Sequence, residues 1–137
     1  MRRNSPDCSD GGVMDNVNLK VKLYLEGNGD KFMGIGVLWL LEKVKSCGSL
    51  RSAAEEMGIS YSKAFRMVRN LEAAIGVDVL ERRRGGMERS GAKLTPFGEE
   101  FIVLYDSFQK ECKNLLDKPF SEFSEKLDSL ICKNKNG

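Results

Sequence analysis

The stretch Gly48-Ser49-Leu50-Arg51-Ser52-Ala53-Ala54-Glu55-Glu56-Met57-Gly58-Ile59-Ser60-Tyr61-Ser62-Lys63-Ala64 contains two helix starts with a helix stop between them. Ser49 is a capping residue placed before a short helix over Leu50 to Met57, in which Leu50, Ala53, Ala54 and Met57 share one face. Gly58 supplies the positive-φ position that ends it. Ser60 then caps a longer helix that runs to about Ile75. Two helices joined by a three-residue turn containing glycine form a helix-turn-helix unit.

The second of these helices has two distinct sides. At about 100° per residue, Ala64, Val68, Leu71 and Ile75 fall within an arc of about 60°, a narrow core stripe. Ser62, Arg66, Arg69 and Ala73 occupy the opposite side, with Lys63 and Asn70 on one flank and Phe65 on the other. Its outward charge is all positive until Glu72, which sits near the core edge. A major groove admits one helix, where arginine can bond guanine and asparagine can bond adenine through paired hydrogen bonds. Ser60, Tyr61, Ser62 and Lys63 lie at the helix N-terminus, the end that usually approaches bases and phosphates. The predicted base-reading set is therefore Ser60, Tyr61, Ser62, Lys63, Arg66, Arg69 and Asn70.

A solvated surface helix can also be basic, so the distribution of charge along the chain matters. Residues 60 to 95 hold Lys63, Arg66, Arg69, Arg82, Arg83, Arg84, Arg89 and Lys93 against Glu72, Asp78, Glu81 and Glu88, a local balance of +4. Residues 1 to 59 balance to zero and residues 96 to 137 to −2, so the modest total of +2 conceals a basic middle. Such segregation is the electrostatic footprint of a nucleic-acid binder.

On the C-terminal side, Val77 to Glu81 and Ala92 to Leu94 read as short strands around the glycine-flanked loop Arg82 to Gly91. The expected result is a wing whose Arg82, Arg83, Arg84, Arg89 and Lys93 grip the DNA backbone or minor groove. Thr95-Pro96 opens a long helix carrying Phe97, Phe101, Leu104, Tyr105, Phe108, Cys112 and Leu115. Pro119 is expected to end it, before a short last helix marked by Phe123, Leu127, Leu130 and Ile131. Phe97, Phe101 and Leu104 are assigned to the core; Tyr105, Phe108, Cys112, Leu115 and the last helix exceed its needs and are assigned to a dimer interface.

On the N-terminal side, the apolar positions after Gly34 predict a helix ending at Cys47-Gly48, with Leu38, Leu41 and either Trp39 or Leu40 inward. Before it, Val17, Leu19, Val21, Leu23 and Leu25 alternate as in a half-buried strand. Glu26 to Asp30 is the expected turn and Lys31 to Met33 a partner strand. The fold class is mainly α with small β elements, an α+β winged helix-turn-helix with an N-terminal β-hairpin and a long C-terminal helix. The expected domains are a disordered tail at 1–16, the DNA-binding domain at 17–96, dimerisation helices at 97–132 and a tail at 133–137.

Composition excludes much chemistry. The chain of 137 residues has no histidine, so Ser-His and Cys-His nucleophiles and histidine metal sites are impossible. Cys8, Cys47, Cys112 and Cys132 lack close-pair spacing, which favours free thiols over zinc or redox chemistry. Gly86 to Lys93 misses the phosphate-loop pattern, and Gly27 to Gly29 is followed by Lys31-Phe32 rather than by a glycine-opened helix. No catalytic residue, metal, cofactor or small-molecule effector is expected, and the chain is not read as an enzyme. With no secretory or membrane-spanning segment visible, it reads as a cytoplasmic protein with no membrane partner.

From Gly48 through Phe65, and on through Leu71-Glu72 to Leu94-Thr95-Pro96-Phe97-Gly98, the sequence resembles the winged helix-turn-helix of LysR-type regulators. It is more similar still to the N-terminal DNA-binding domain of the ModE molybdate-responsive regulators. The hairpin from Leu19 to Phe32 with Gly34-Ile35-Gly36, the opening Ser60 to Ala64, and Gly98 to Leu104-Tyr105-Asp106 carry that likeness over about residues 17 to 110. The resemblance implies a homodimer on a two-fold symmetric stretch of double-stranded DNA. Molybdate-sensing ModE regulators carry further β-barrel domains, so a stand-alone DNA-binding domain that does not sense the oxyanion is expected. The alternative is a winged-helix protein-interaction module that does not bind DNA.

Overall fold

The computed structural model describes residues 17–81 and 92–136. Chain organisation begins with the hairpin of β1 (Leu25–Gly27) and β2 (Asp30–Met33), paired antiparallel with Leu25 opposite Met33 and Gly27 opposite Asp30. Its turn is only Asn28-Gly29, at φ 55° and 85°. Both central residues of a type I′ turn need positive φ, which asparagine and glycine tolerate best. The turn is thus tighter than the expected 26–30. The first strand is shorter than expected, because residues 17–24 join no ladder among the described residues. Alternation persists as burial only from Val21, with Val21, Leu23 and Leu25 half-buried between exposed Lys22, Tyr24 and Glu26, whereas Val17 and Leu19 are exposed.

Three helices follow: α1 (Ile35–Cys47), α2 (Leu50–Met57) and α3 (Tyr61–Ile75), each ended by a glycine in the left-handed region. Leu38, Leu40, Leu41 and Val44 of α1 meet Leu50, Ala53 and Ala54 of α2 and Ala64, Val68 and Leu71 of α3 in one core. Leu40 is fully buried and Trp39 is 54% exposed, which settles the choice between them. Beyond α3, the expected strands shrink to a bridge between Leu80 and Leu94. The Glu81 N–H donates to Lys93 O at 2.8 Å and the Thr95 N–H to Val79 O at 2.9 Å.

Thr95 opens α4 (Pro96–Leu115) as expected: its Oγ1 accepts from the Gly98 N–H at 2.9 Å and donates to Asp78 O at 2.8 Å. Gly98 is required for packing, since a Cβ there would stand 2.5 Å from Val79 O. The inward residues of α4 are Gly98, Ile102, Tyr105 and Gln109. This corrects the division of its aromatic stripe. Tyr105 is buried and its hydroxyl donates to Leu23 O at 3.0 Å, so its ring belongs to this chain's own core. Leu104, expected inside, is 69% exposed, and Phe97 is also exposed. The inward line follows i, i+4 and i+7 from Gly98, a residue with no apolar side chain to announce it.

The described residues divide into two compact units, Lys22–Gln109 and a second that takes in residues 17–21 and 110–136. The second contains α5 (Asp117–Asn136), twenty residues long and so neither short nor followed by the tail expected at 133–137. Pro119 does not end α4; it is the third residue of α5. The first bond of α5 runs from the Phe120 N–H to Leu116 O at 2.9 Å, so a missing N–H at position 119 breaks nothing. Cys47 and Cys112 are free thiols, whereas Cys132 is disulfide-bonded, against the expectation for all four cysteines. The expected tail at 1–16 lies outside the described residues.

Candidate nucleic-acid interface

The geometry of α2, turn and α3 follows from four backbone and capping contacts. Ser49 Oγ accepts from the Ser52 N–H and Ser60 Oγ from the Lys63 N–H, both at 3.0 Å. At the turn, the Gly58 N–H reaches Glu55 O at 3.1 Å and the Ile59 N–H reaches Ala54 O at 3.0 Å. This is the Schellman arrangement, which uses the positive φ of Gly58 to satisfy two terminal carbonyls. It holds α3 in place with Ala64, Val68 and Leu71 inward.

All the side chains singled out on the other side are at the surface. Ser60, Ser62, Lys63, Arg66, Arg69 and Asn70 are exposed, while Tyr61 is half-buried. Tyr61 and Phe65 stack at 6.2 Å between ring centroids, forming an aromatic shelf along one edge of this face. Arg69 lies 5.6 Å over Phe65, and Arg51 of α2 lies 4.4 Å over Tyr61. Tyr61, Ser62, Phe65, Arg66 and Arg69 together line an open depression. Arg51 was not singled out from the sequence. Its only signal there is its place on a flank of α2, about 110° from the core stripe, next to a helix start.

Glu72 is the one acid of α3, and it is buried away from this face. It is 6% exposed, and its Oε2 accepts from the Val79 N–H at 2.8 Å and the Leu80 N–H at 3.1 Å. The carboxylate thereby fixes the chain entering the wing and leaves Lys63, Arg66 and Arg69 as the charges of the outward side. Of the wing residues, Lys93 is exposed, and Arg82, Arg83, Arg84 and Arg89 lie outside the described residues.

Of the residues assigned to a dimer surface, Phe108 is 46% exposed in the first unit, on the same helix as exposed Phe97, Val103 and Leu104. In the second unit, Cys112 is half-buried and Leu115 is 69% exposed. Among the described residues there is no group of three metal-binding side chains, and no helix is long and apolar enough to cross a membrane.

Residues 36–99 match the family described as bacterial regulatory helix-turn-helix protein, lysR family. The molybdenum-pterin-binding protein MopB of Rhodobacter capsulatus is 33% identical over 94 residues, 69% of this chain and 34% of MopB. The transcriptional regulator ModE of Haemophilus influenzae is 30% identical over 92 residues, 67% of this chain and 36% of ModE. The chain thus spans about a third of the length of these relatives, whose names describe regulation and pterin binding rather than catalysis. In fold it is similar to full-length CbnR crystallised with its target DNA, at TM-score 0.52 and 25% identity over 65% of this chain and 29% of CbnR. The CbnR DNA-binding domain in its DNA complex gives TM-score 0.53 at 24% identity, over 66% of this chain and 98% of that domain. Residues 36–99, with α2, its glycine turn and α3 at their centre, are a LysR-type helix-turn-helix domain homologous to ModE and MopB.

Proposed function

We propose that this chain is a sequence-specific regulator of transcription that binds double-stranded DNA by laying α3 in the major groove. One observation carries the reading: Ser62, Lys63, Arg66, Arg69 and Asn70 are all exposed on one side of α3, while the helix's acid, Glu72, is buried against backbone amides. Arginine and asparagine on that side are the side chains that read guanine and adenine edges. The similarity to a ModE regulator and to a DNA-bound CbnR supports the same assignment. Arg82, Arg83, Arg84, Arg89 and Lys93 would hold the backbone or minor groove beside it. The protein would act in the cytoplasm as a homodimer on a two-fold symmetric site, with exposed Leu104 and Phe108 of α4 in the interface.

Selection of bound duplexes from a random pool, followed by gel-shift titration at several salt concentrations, tests the reading. Arg66→Ala is expected to relax discrimination at one base pair by about 1–3 kcal/mol, whereas Arg83→Ala weakens all sequences alike and flattens the salt dependence. Equal losses on selected and random DNA for both variants would refute the assignment of roles. No salt-dependent affinity for any duplex would leave the winged helix as a protein-interaction module.

A further inference from the structure

The β1–β2 hairpin precedes the matched residues 36–99, yet β2 packs against α3. Lys31 of β2 is exposed, with its ammonium 4.1 Å from the centroid of the Tyr24 ring. Among the described residues no carboxylate is ion-paired with it, although Glu26 is its exposed cross-strand neighbour. Lys31 and Tyr24 line a cavity of about 280 Å³ together with Lys63, Met67 and Asn70 of α3. Two lysines and no acid line that cavity. The hairpin cation therefore borders two residues already placed on the outward side and flank of α3.

Its position around the helix matters more than its charge. With Ala64 as zero and about 100° per residue, Ser62, Arg66 and Arg69 fall at about 140–200°, and Lys63, Met67 and Asn70 at about 240–300°. Glu72, which holds the backbone of Val79 and Leu80, falls on the other flank at about 80°. The outward side of α3 is thus bracketed by the wing base on one flank and by the hairpin on the other. A helix seated in a major groove has a phosphate strand on each side, and lysine recognises phosphate as a compact point charge.

We infer that the hairpin is a second element gripping the DNA backbone, with Lys31 bonding phosphate on the strand opposite the one held by the wing. The inference rests on reading α3 as the groove-bound helix. Tyr24 prepares the contact: its ring holds the long Lys31 side chain over an apolar surface, and ammonium protons remain free to donate. A side chain ordered before binding loses less entropy when the phosphate arrives.

The full chain is titrated with a selected duplex and a random duplex across a salt series. Each phosphate contact contributes about 0.9 to the slope of log affinity against log salt, so Lys31→Gln, which removes one contact from each protomer, should lower the slope by about 1.8 for a bound dimer. Affinity for both duplexes should fall by the same factor, and Lys31→Arg should keep the slope. In the wild-type protein, bound DNA should protect Lys31 from an amine-reactive reagent, a readout that does not depend on any variant folding. Salt-dependent binding with an unchanged Lys31→Gln slope, or with Lys31 still reactive in the complex, overturns the hairpin contact and leaves the α3 reading standing. Absence of salt-dependent binding by the wild type overturns both.

Discussion

Glu72 shows how one side chain can serve both packing and surface charge. A buried carboxylate needs donors, and it has two in the Val79 and Leu80 amides. Glu72→Ala would leave those amides unpaired, at a cost of about 1–3 kcal/mol for each buried group in a urea melt. Glu72→Gln keeps an acceptor oxygen and should lose less. The exposed pair Lys43 and Glu56, at 3.0 Å, makes a different prediction. The hydrogen bond to Lys43 holds the Glu56 carboxyl below its ordinary value, and the same bond raises Lys43. Any stability from Glu56 is present above the ordinary glutamate range and is lost as pH falls through its lowered value. The Lys43 share is present below the ordinary lysine range and is lost as pH rises through its raised value. Because both groups face solvent, the effect on stability should be small. A carboxyl titration followed by NMR should show Glu56 titrating low, and moving up in Lys43→Met; an unmoved midpoint would contradict the contact.

Among the elements, the helix starts were the most legible, because each is set by local chemistry. Ser49, Ser60 and Thr95 were all read as caps, and all three accept from an amide three residues on. Thr95→Ala should cost about 0.5–2 kcal/mol in thermal or urea unfolding, with Thr95→Ser recovering most of it. Thr95 is the most telling of the three, because its hydroxyl also donates to Asp78 O and so ties α4 to the segment that follows α3. Pro119 lies in the first turn of α5 and does not stop α4, because proline in a sequence marks either the end of one helix or the first turn of the next. Only the Phe120 to Leu116 bond shows which of the two applies here. The first hairpin strand is shorter than its alternation predicts for a related reason: alternation marks an extended chain with one buried face, which does not need a hydrogen-bonded neighbour.

At the scale of the molecule, the exposed apolar side of α4 raises the question of a second copy. Phe97, Val103, Leu104 and Phe108 are 38%, 64%, 69% and 46% exposed. Patches of this kind are commonly covered by a partner. Leu104→Asp combined with Phe108→Asp should convert a dimer to a monomer in sedimentation equilibrium, with the folded content by circular dichroism retained. A wild-type monomer at micromolar concentration would refute the interface. Tyr105→Phe supplies the contrast, since loss of its bond to Leu23 O should lower stability by about 0.5–1.5 kcal/mol without changing the oligomer.

The sequence alone determined the order of the helices, the side-chain caps of α2, α3 and α4, the glycine turn between α2 and α3 and the basic outward side of α3. Each of these depends on residues within a few positions of one another, where periodicity and capping chemistry act directly. Tertiary structure decided which side of α4 is buried, because that side is set by Val79 pressing on Gly98 and by Leu23 receiving the Tyr105 hydroxyl across 82 positions of sequence. It also turned Glu72 inward, seated Arg51 on Tyr61 and brought Lys31 of the hairpin beside Lys63. Helical periodicity can say that a residue is near an edge. Whether an edge residue faces solvent, an amide or another cation depends on what the rest of the chain packs against it.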